Sequence, residues 1–308
     1  MGLSTSTATP VRVGLVNLMP DAALRATERQ FLRLVQGTPL DCRVDVLRAT
    51  LPGLDRGPAV ADALASRYVP IDRLLDADPD ALIVTGTNVA AADVSAHPVF
   101  PEMARVFDWA ETQQVPLLTS CLASHAWLQH RRGTVRTTLP DKRWGVYAHR
   151  VTRRAHPLAQ GLPFTFDAPH SRHNTVHHRE WEAAGLEVVA TTTDGEVHAA
   201  ASADGARVVC LQGHPEYDTA SLLKEYAREW QRAGAGDRDV PPVPRGYLSP
   251  EAQALLAAFR WQATRARDCG SPLPPFPEEA IVPLLRNTWR EPARVFFRNW
   301  LERVARRA

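Results

Sequence analysis

Cysteine is scarce in this chain: four residues in 308, at positions 42, 121, 210 and 269. No CxxC pair and no dense spacing occurs among them, which excludes a disulfide-stapled small domain and a cysteine-rich zinc module. Reduced thiols in a cytoplasmic enzyme are the expectation. Charge of one sign is also missing, because 36 Lys and Arg against 34 Asp and Glu leave a formal net charge of +2. That balance offers no basic footprint for a phosphate backbone, so no nucleic-acid partner is expected. No window approaches the ~18 uncharged apolar residues of a membrane span. The opening MGLSTSTATP has no basic region followed by an apolar run, so it reads as a flexible lead over 1–10 rather than a secretory signal. Its fit to the Gly2 myristoylation pattern through Ser6 is short and common by chance.

What is present is an ordinary globular composition, 44% hydrophobic and 23% charged. The length accommodates one large or two small domains. No internal repeat and no linker divides it, so residues 11–308 are read as a single domain. VRVGLVNL (11–18) is an apolar, β-branched run suited to a strand buried on both faces. Helical spacing of Leu24, Phe31 and Leu34 follows, then strands at 42–49 and 81–88, a helix at 100–114 and a strand at 115–121. This alternation predicts a doubly wound α/β fold, a mainly parallel sheet with helices on both faces. In the second half, strands are expected at 145–152, 187–192 and 197–202, the last turning at Asp204-Gly205 into 207–218. Helices are expected at 221–232, at 251–267 and in the C-terminal NTWREPARVFFRNWLERVARR, with Pro-rich loops over 233–250 and 270–277.

Cys121 ends a predicted strand and precedes LASHAWL, the strand-to-helix geometry of a nucleophile elbow. A thiol there lies near the positive end of a helix dipole, which favours its thiolate. The plain alternative is a buried structural cysteine. The run Gly213-His214-Pro215-Glu216-Tyr217-Asp218 follows another strand. A histidine there, with a carboxylate two residues on, supplies a general base and its orienting partner, and a turn histidine beside a surface Glu is the plain alternative. Parallel sheets gather the carboxyl ends of their strands at one edge, so Cys121, His214 and Glu216 are read together as a candidate triad. The turn Gly86-Thr87-Asn88 after the third strand offers backbone N–H donors for an oxyanion, although strand-end glycine turns usually need no such role. Four histidines of PHSRHNTVHH, at 170, 173, 177 and 178, invite a metal reading. No Cys or HExxH pattern accompanies them, and no metal is expected.

NLMP (17–20), TERQFLRL (27–34), IVTG (83–86), GVYAH (145–149), APHSR (168–172), GHPEYD (213–218) and WR…FRNWL (289–301) occur in this order. Together they resemble the homoserine O-acyltransferases of the homoserine O-succinyltransferase type. The resemblance implies a class I glutamine amidotransferase-like (flavodoxin-like) fold and a homodimer. It also implies a ping-pong reaction in which a cysteine takes an acyl group from acyl-CoA, the co-substrate, and passes it to an amino-acid hydroxyl, with no bound cofactor. On that resemblance Cys121 is the acylated nucleophile, His214 the base and Glu216 its partner. Arg228 falls where the family places an arginine for the substrate carboxylate, a role its bidentate guanidinium suits. Ser171 and Arg172 match a substrate-pocket segment, their plain alternative being turn residues that satisfy local backbone.

The departures are informative. The family's lysine after NLMP is absent from Asp21-Ala22-Ala23-Leu24-Arg25, where two residues are inserted and Arg25 is the nearest cation. Ala148 stands for a family Glu, and Cys121-Leu122-Ala123 for the usual Cys-Trp-Ala. Ala90 occupies the position where the family's Glu goes with acetyl-CoA and its Gly with succinyl-CoA. A small uncharged side chain leaves room for a longer acyl chain and does not repel its carboxylate, which favours succinyl. The pocket changes keep another hydroxy amino acid, such as L-serine, open as acceptor. From other classes come a glutamine amidotransferase-like hydrolase and a noncatalytic binding protein. The hydrolase normally has Gly two residues before and after its cysteine, where this chain has Thr119 and Ala123.

Overall fold

The computed structural model describes residues 10–38, 40, 42–236 and 239–308. The lead over 1–9, with its Gly2 pattern, lies outside the described residues. Strands β1 (Val11–Val16), β2 (Val44–Ala49), β3 (Ala81–Val84) and β4 (Leu117–Ser120) alternate with helices α1 (Asp21–Gln36), α2 (Ala61–Arg67), α3 (Ile71–Asp76), α4 (Phe100–Thr112) and α5 (Leu122–Arg132). Next come β5 (Thr137–Val151), β6 (Thr165–Thr175), α6 (His178–Ala183), β7 (Glu187–Thr192), β8 (Val197–Ala201) and β9 (Val208–Leu211). The chain closes with α7 (Ser221–Gly234), α8 (Pro250–Asp268), α9 (Glu278–Ile281) and α10 (Arg290–Ala305).

All nine strands form one sheet in the order β2-β1-β3-β4-β9-β8-β7-β5-β6. Four pairings, from β2 through β9, are parallel and four, from β9 through β6, are antiparallel. The sheet is therefore mixed, and its parallel character belongs to the first half. The reason is local: β8 returns into β9 through the Asp204-Gly205 turn, too short for the crossover that a parallel neighbour requires.

Period-2 alternation sends side chains to two cores. Val16, Leu82, Val84 and Leu117 pack with α3, α4 and α5 on one face, whereas Val13, Leu15, Ile83 and Leu118 meet Phe31 of α1 and Phe297 and Trp300 of α10 on the other. Truncating a fully buried ring such as Trp300 costs about 3–5 kcal/mol. A third core, built on Trp144 and Val146 of β5, carries α7 and α8. Gly145 sits between these two at φ 141°, a conformation suited to glycine, and a Cβ there would lie 2.1 Å from the Arg245 carbonyl oxygen. Segment 245 thus seals directly onto β5, and this fixes the loop that leads into α8.

Candidate active site

Cys121 links the end of β4 to α5 with φ 52° and ψ −112°, outside the regions that a side-chain-bearing residue prefers. Its neighbours hold that strain. The Cys121 N–H donates to the Leu211 carbonyl at 2.6 Å. Ser124, in the first turn of α5, donates toward the carbonyls of Thr119 at 2.9 Å and Leu211 at 3.0 Å, and its Oγ accepts the Leu211 N–H at 3.1 Å. A Cβ on Gly86 would lie 3.1 Å from the Leu122 nitrogen and 3.4 Å from the Cys121 Cβ, so the bare glycine lets the β3 turn close onto the elbow.

His214 and Glu216 follow β9, the strand adjacent to β4. The His214 Nδ1 and Glu216 Oε1 are 2.8 Å apart, and both side chains are buried. The His214 ring stacks on Tyr217 at 4.4 Å, and its backbone N–H donates to Pro169 at 2.8 Å. Burial disfavours the imidazolium, but the negative charges of Glu216 and Cys121 outweigh it and hold the His214 pKa well above its ordinary value. Burial likewise raises the Cys121 pKa, whereas His214, Arg172 and Arg136 pull it down, and the net effect is below the ordinary thiol. The Cys121 and His214 pair is thus biased toward thiolate and imidazolium, with Glu216 behind the ring.

Arg136 carries no such signal in the sequence, whereas Arg172 is marked only by its place in the APHSR segment. Arg136 is 6% exposed and holds the 89–91 loop through the carbonyls of Val89 at 2.5 Å and Ala91 at 2.6 Å. Arg172 lies within strand β6, not in a turn, and pairs with Glu196 at 2.6 Å. Its other donors reach Asn174 and His170, so its guanidinium is spent within the protein. Ser171, one residue earlier, faces the other side of β6 and donates to Glu225 at 2.7 Å. Glu225 also accepts from Trp144 Nε1 at 2.9 Å and the Tyr217 hydroxyl at 2.6 Å, with Lys142 Nζ at 3.9 Å. Sequence reading missed Glu225 and Lys142, because two strands and a helix distant in sequence meet there.

One turn beyond Glu225 on α7, Arg228 is half-buried and has no hydrogen-bond or ion-pair partner among the described residues. Gly86 is buried, Thr87 half-buried, and Asn88 and Ala90 exposed. The backbone N–H groups of Gly86 and Thr87 meet no protein acceptor among the described residues. Ala90 offers its carbonyl to Asn174 at 3.4 Å. Arg25 is exposed on α1, whereas Arg56, unremarked in the sequence, donates to the Met19 carbonyl at 2.6 Å beneath the NLMP turn.

The histidines sort differently from the sequence pattern. His173, His177 and His178 are exposed, and His170 instead joins His149 and His198 in a buried cluster whose ligand atoms lie within 4.8 Å of one another. His149 and His170 share a hydrogen bond at 2.9 Å, and Arg172 donates to His170 Nδ1 at 3.3 Å. Burial, with Arg172 near all three rings and Arg143 near His149 and His170, lowers their pKa values, and these guanidinium groups oppose a cation. Among the described residues no helix is long and apolar enough to cross a membrane.

The fold is similar to that of a glutamine amidotransferase from Thermotoga maritima, with TM-score 0.54 and 13% identity over 96% of this chain and 99% of that one. A glutamine amidotransferase from Methylobacillus flagellatus gives 0.54 at 14%, over 96% of each. At such identities the likeness speaks for the fold alone. By sequence, the chain is 45% identical to the homoserine O-succinyltransferase of Thiothrix nivea, over 96% of this chain and 82% of the relative. The enzyme of that name from Methylococcus capsulatus is 44% identical, over 96% and 83%. The model of the homoserine O-succinyltransferase family matches residues 4–308, and with relatives at this identity the chain belongs to that family.

Proposed function

We propose that this protein transfers a succinyl group from succinyl-CoA to the hydroxyl of L-homoserine, through a thioester on Cys121, in methionine biosynthesis. The observation that carries the mechanism is the elbow-borne Cys121 on the strand beside the one that delivers His214, itself 2.8 Å from Glu216. The thiolate attacks the donor's thioester carbonyl. The developing oxyanion is met by the free N–H groups of Gly86 and Thr87 and by that of Leu122 at the start of α5. Collapse of the adduct breaks the bond to the CoA sulfur, which leaves with the proton from His214.

Acylation removes the negative charge on Cys121, one of the two groups that keep His214 protonated. The imidazole left behind is a neutral base oriented by Glu216. It takes the homoserine hydroxyl proton as that oxygen attacks the thioester, and the product ester departs as Cys121 returns to thiolate beside His214 imidazolium. Arg228, the half-buried guanidinium without a protein partner, is the candidate clamp for the amino-acid carboxylate. Two features support succinyl over acetyl. Ala90 adds no charge to the donor loop, and Arg136 and Arg172 set a positive field at Cys121 that attracts an acyl chain ending in carboxylate.

The test is steady-state kinetics with succinyl- or acetyl-CoA against homoserine or serine. Parallel double-reciprocal lines and O-succinylhomoserine as product are expected. Turnover only with acetyl-CoA, or only with serine, overturns the substrate assignment. Intersecting lines would overturn the thioester route.

A further inference from the structure

The two guanidinium groups that act on Cys121 are not equivalent. Arg172 is neutralised by Glu196 at 2.6 Å, and its remaining donors reach Asn174 and His170. Arg136, just before β5, is 6% exposed and has no carboxylate partner among the described residues. Burial pulls its pKa down, opposed by the charge of Cys121. A buried cation without an anion of its own is strongly disfavoured. Such a group is found where a ligand brings the missing charge.

The nitrogens of Arg136 are divided between two tasks. Nε donates to the Ala91 carbonyl at 3.3 Å, and Nη2 to the carbonyls of Val89 at 2.5 Å and Ala91 at 2.6 Å. Nη1 meets no acceptor among the described residues and is not sealed from solvent. The segment thus held continues the β3 turn, where a Cβ on Gly86 would lie 3.4 Å from the Cys121 Cβ. Asn174 of β6 ties the same segment through the Ala90 carbonyl at 3.4 Å, and Gln129 of α5 accepts the Val94 N–H at 3.0 Å. The guanidinium is therefore fixed by a loop that is itself anchored on β6 and α5. A donor held in this way needs little reordering when an anion arrives.

The chemistry of the substrates selects the anion. The CoA phosphates sit at the far end of the pantetheine arm, away from the thioester, and the amino-acid carboxylate has Arg228 on α7. What an acyl donor delivers beside Cys121 is the far carboxylate of a dicarboxylic acyl group, whose two carbonyl carbons lie about 4 Å apart in an extended succinyl chain. We infer that Arg136 is the specificity-determining residue for the acyl donor: Nη1 takes the terminal carboxylate of the succinyl group, while Nε and Nη2 hold the 89–91 loop as a wall of the acyl pocket. The inference rests on the thioester route through Cys121 proposed above, and adds the group that favours a dicarboxylic acyl chain over an uncharged one.

In a ping-pong reaction kcat/KM for the donor reads the acylation of Cys121 alone, so donors that differ in the terminal group isolate the contact. The unmodified chain should prefer succinyl-CoA to butyryl-CoA, an uncharged donor of equal carbon count, by about tenfold or more. Arg136→Gln should lower kcat/KM for succinyl-CoA about 30-fold, the strength of one charge-assisted hydrogen bond, and change that for butyryl-CoA by less than about threefold. Arg136→Lys, which keeps the charge, should recover part of the succinyl preference. An equal loss with both donors means that Arg136 acts only through the loop or the field at Cys121, and an unaltered succinyl rate means that it takes no part; either overturns the inference. A loss confined to kcat/KM for homoserine also overturns it, because the amino-acid carboxylate is then the anion. If Arg136→Gln does not fold, the donor ratio of the unmodified chain still decides, since a ratio near one leaves nothing for a carboxylate clamp to explain. Acylation of the unmodified chain by neither donor defeats the thioester route and this inference together, whereas acylation without a preference for succinyl defeats this inference alone.

Discussion

Lowering the pH from 7 to 5 tests the buried histidines that back the site. Burial, aided by Arg136, pushes the His125 pKa down to about 3, and burial, aided by Arg143, does the same for His149. In the unfolded chain both return to about 6.5. Below that value the unfolded state binds protons that the folded state refuses, so stability falls with pH from about 6.5 toward 3. At pH 5 the loss is about 2 kcal/mol for each ring, hence about 4 kcal/mol for the pair, a large part of a typical 5–15 kcal/mol. His170 and His198 act in the same direction. His214, with its raised value, contributes its full stabilisation throughout the range below about 6.5 and so does not mask the effect. Urea denaturation followed by tryptophan fluorescence at the two pH values measures the difference. His125→Gln, which keeps a donor toward Gln212, should shrink it by about 2 kcal/mol. A change below about 1 kcal/mol between pH 7 and 5 refutes the neutral-histidine account.

Two further perturbations address the elbow and the triad. Glu216→Gln removes a charge-assisted hydrogen bond of about 1.5–3 kcal/mol, so the inflection in Cys121 alkylation against pH should move up by about 1–2 units, and an unmoved inflection would disconnect Glu216 from the thiolate. Gly86→Ala crowds the Leu122 nitrogen and the Cys121 Cβ, and kcat/KM should fall about 100-fold while the melting temperature changes little; full activity would mean that the β3 turn takes no part in catalysis.

How far the sequence disclosed this arrangement depended on whether the signal was local. The strand at 11–18, the helix at 100–114 and the C-terminal helix carry their pattern within a dozen residues, and β1, α4 and α10 lie there. Cys121 and the His214 block were legible because a strand end followed by a polar residue is also a local pattern. Strand β6 was not, since Ala168-Pro169-His170-Ser171-Arg172 has neither alternation nor a β-branched run. It is a strand because β5 pairs with it over most of its length. The Glu225 hub and the Arg136 strap are likewise products of tertiary pairing. Each joins residues about 45 to 80 positions apart, where periodicity carries no information.

Intact-protein mass spectrometry after brief exposure to succinyl-CoA reads the Cys121 thioester itself. A gain of one succinyl group is expected, absent from Cys121→Ala and discharged on adding homoserine. An unlabelled wild-type protein that still turns over, or a label that persists in Cys121→Ala, would contradict it.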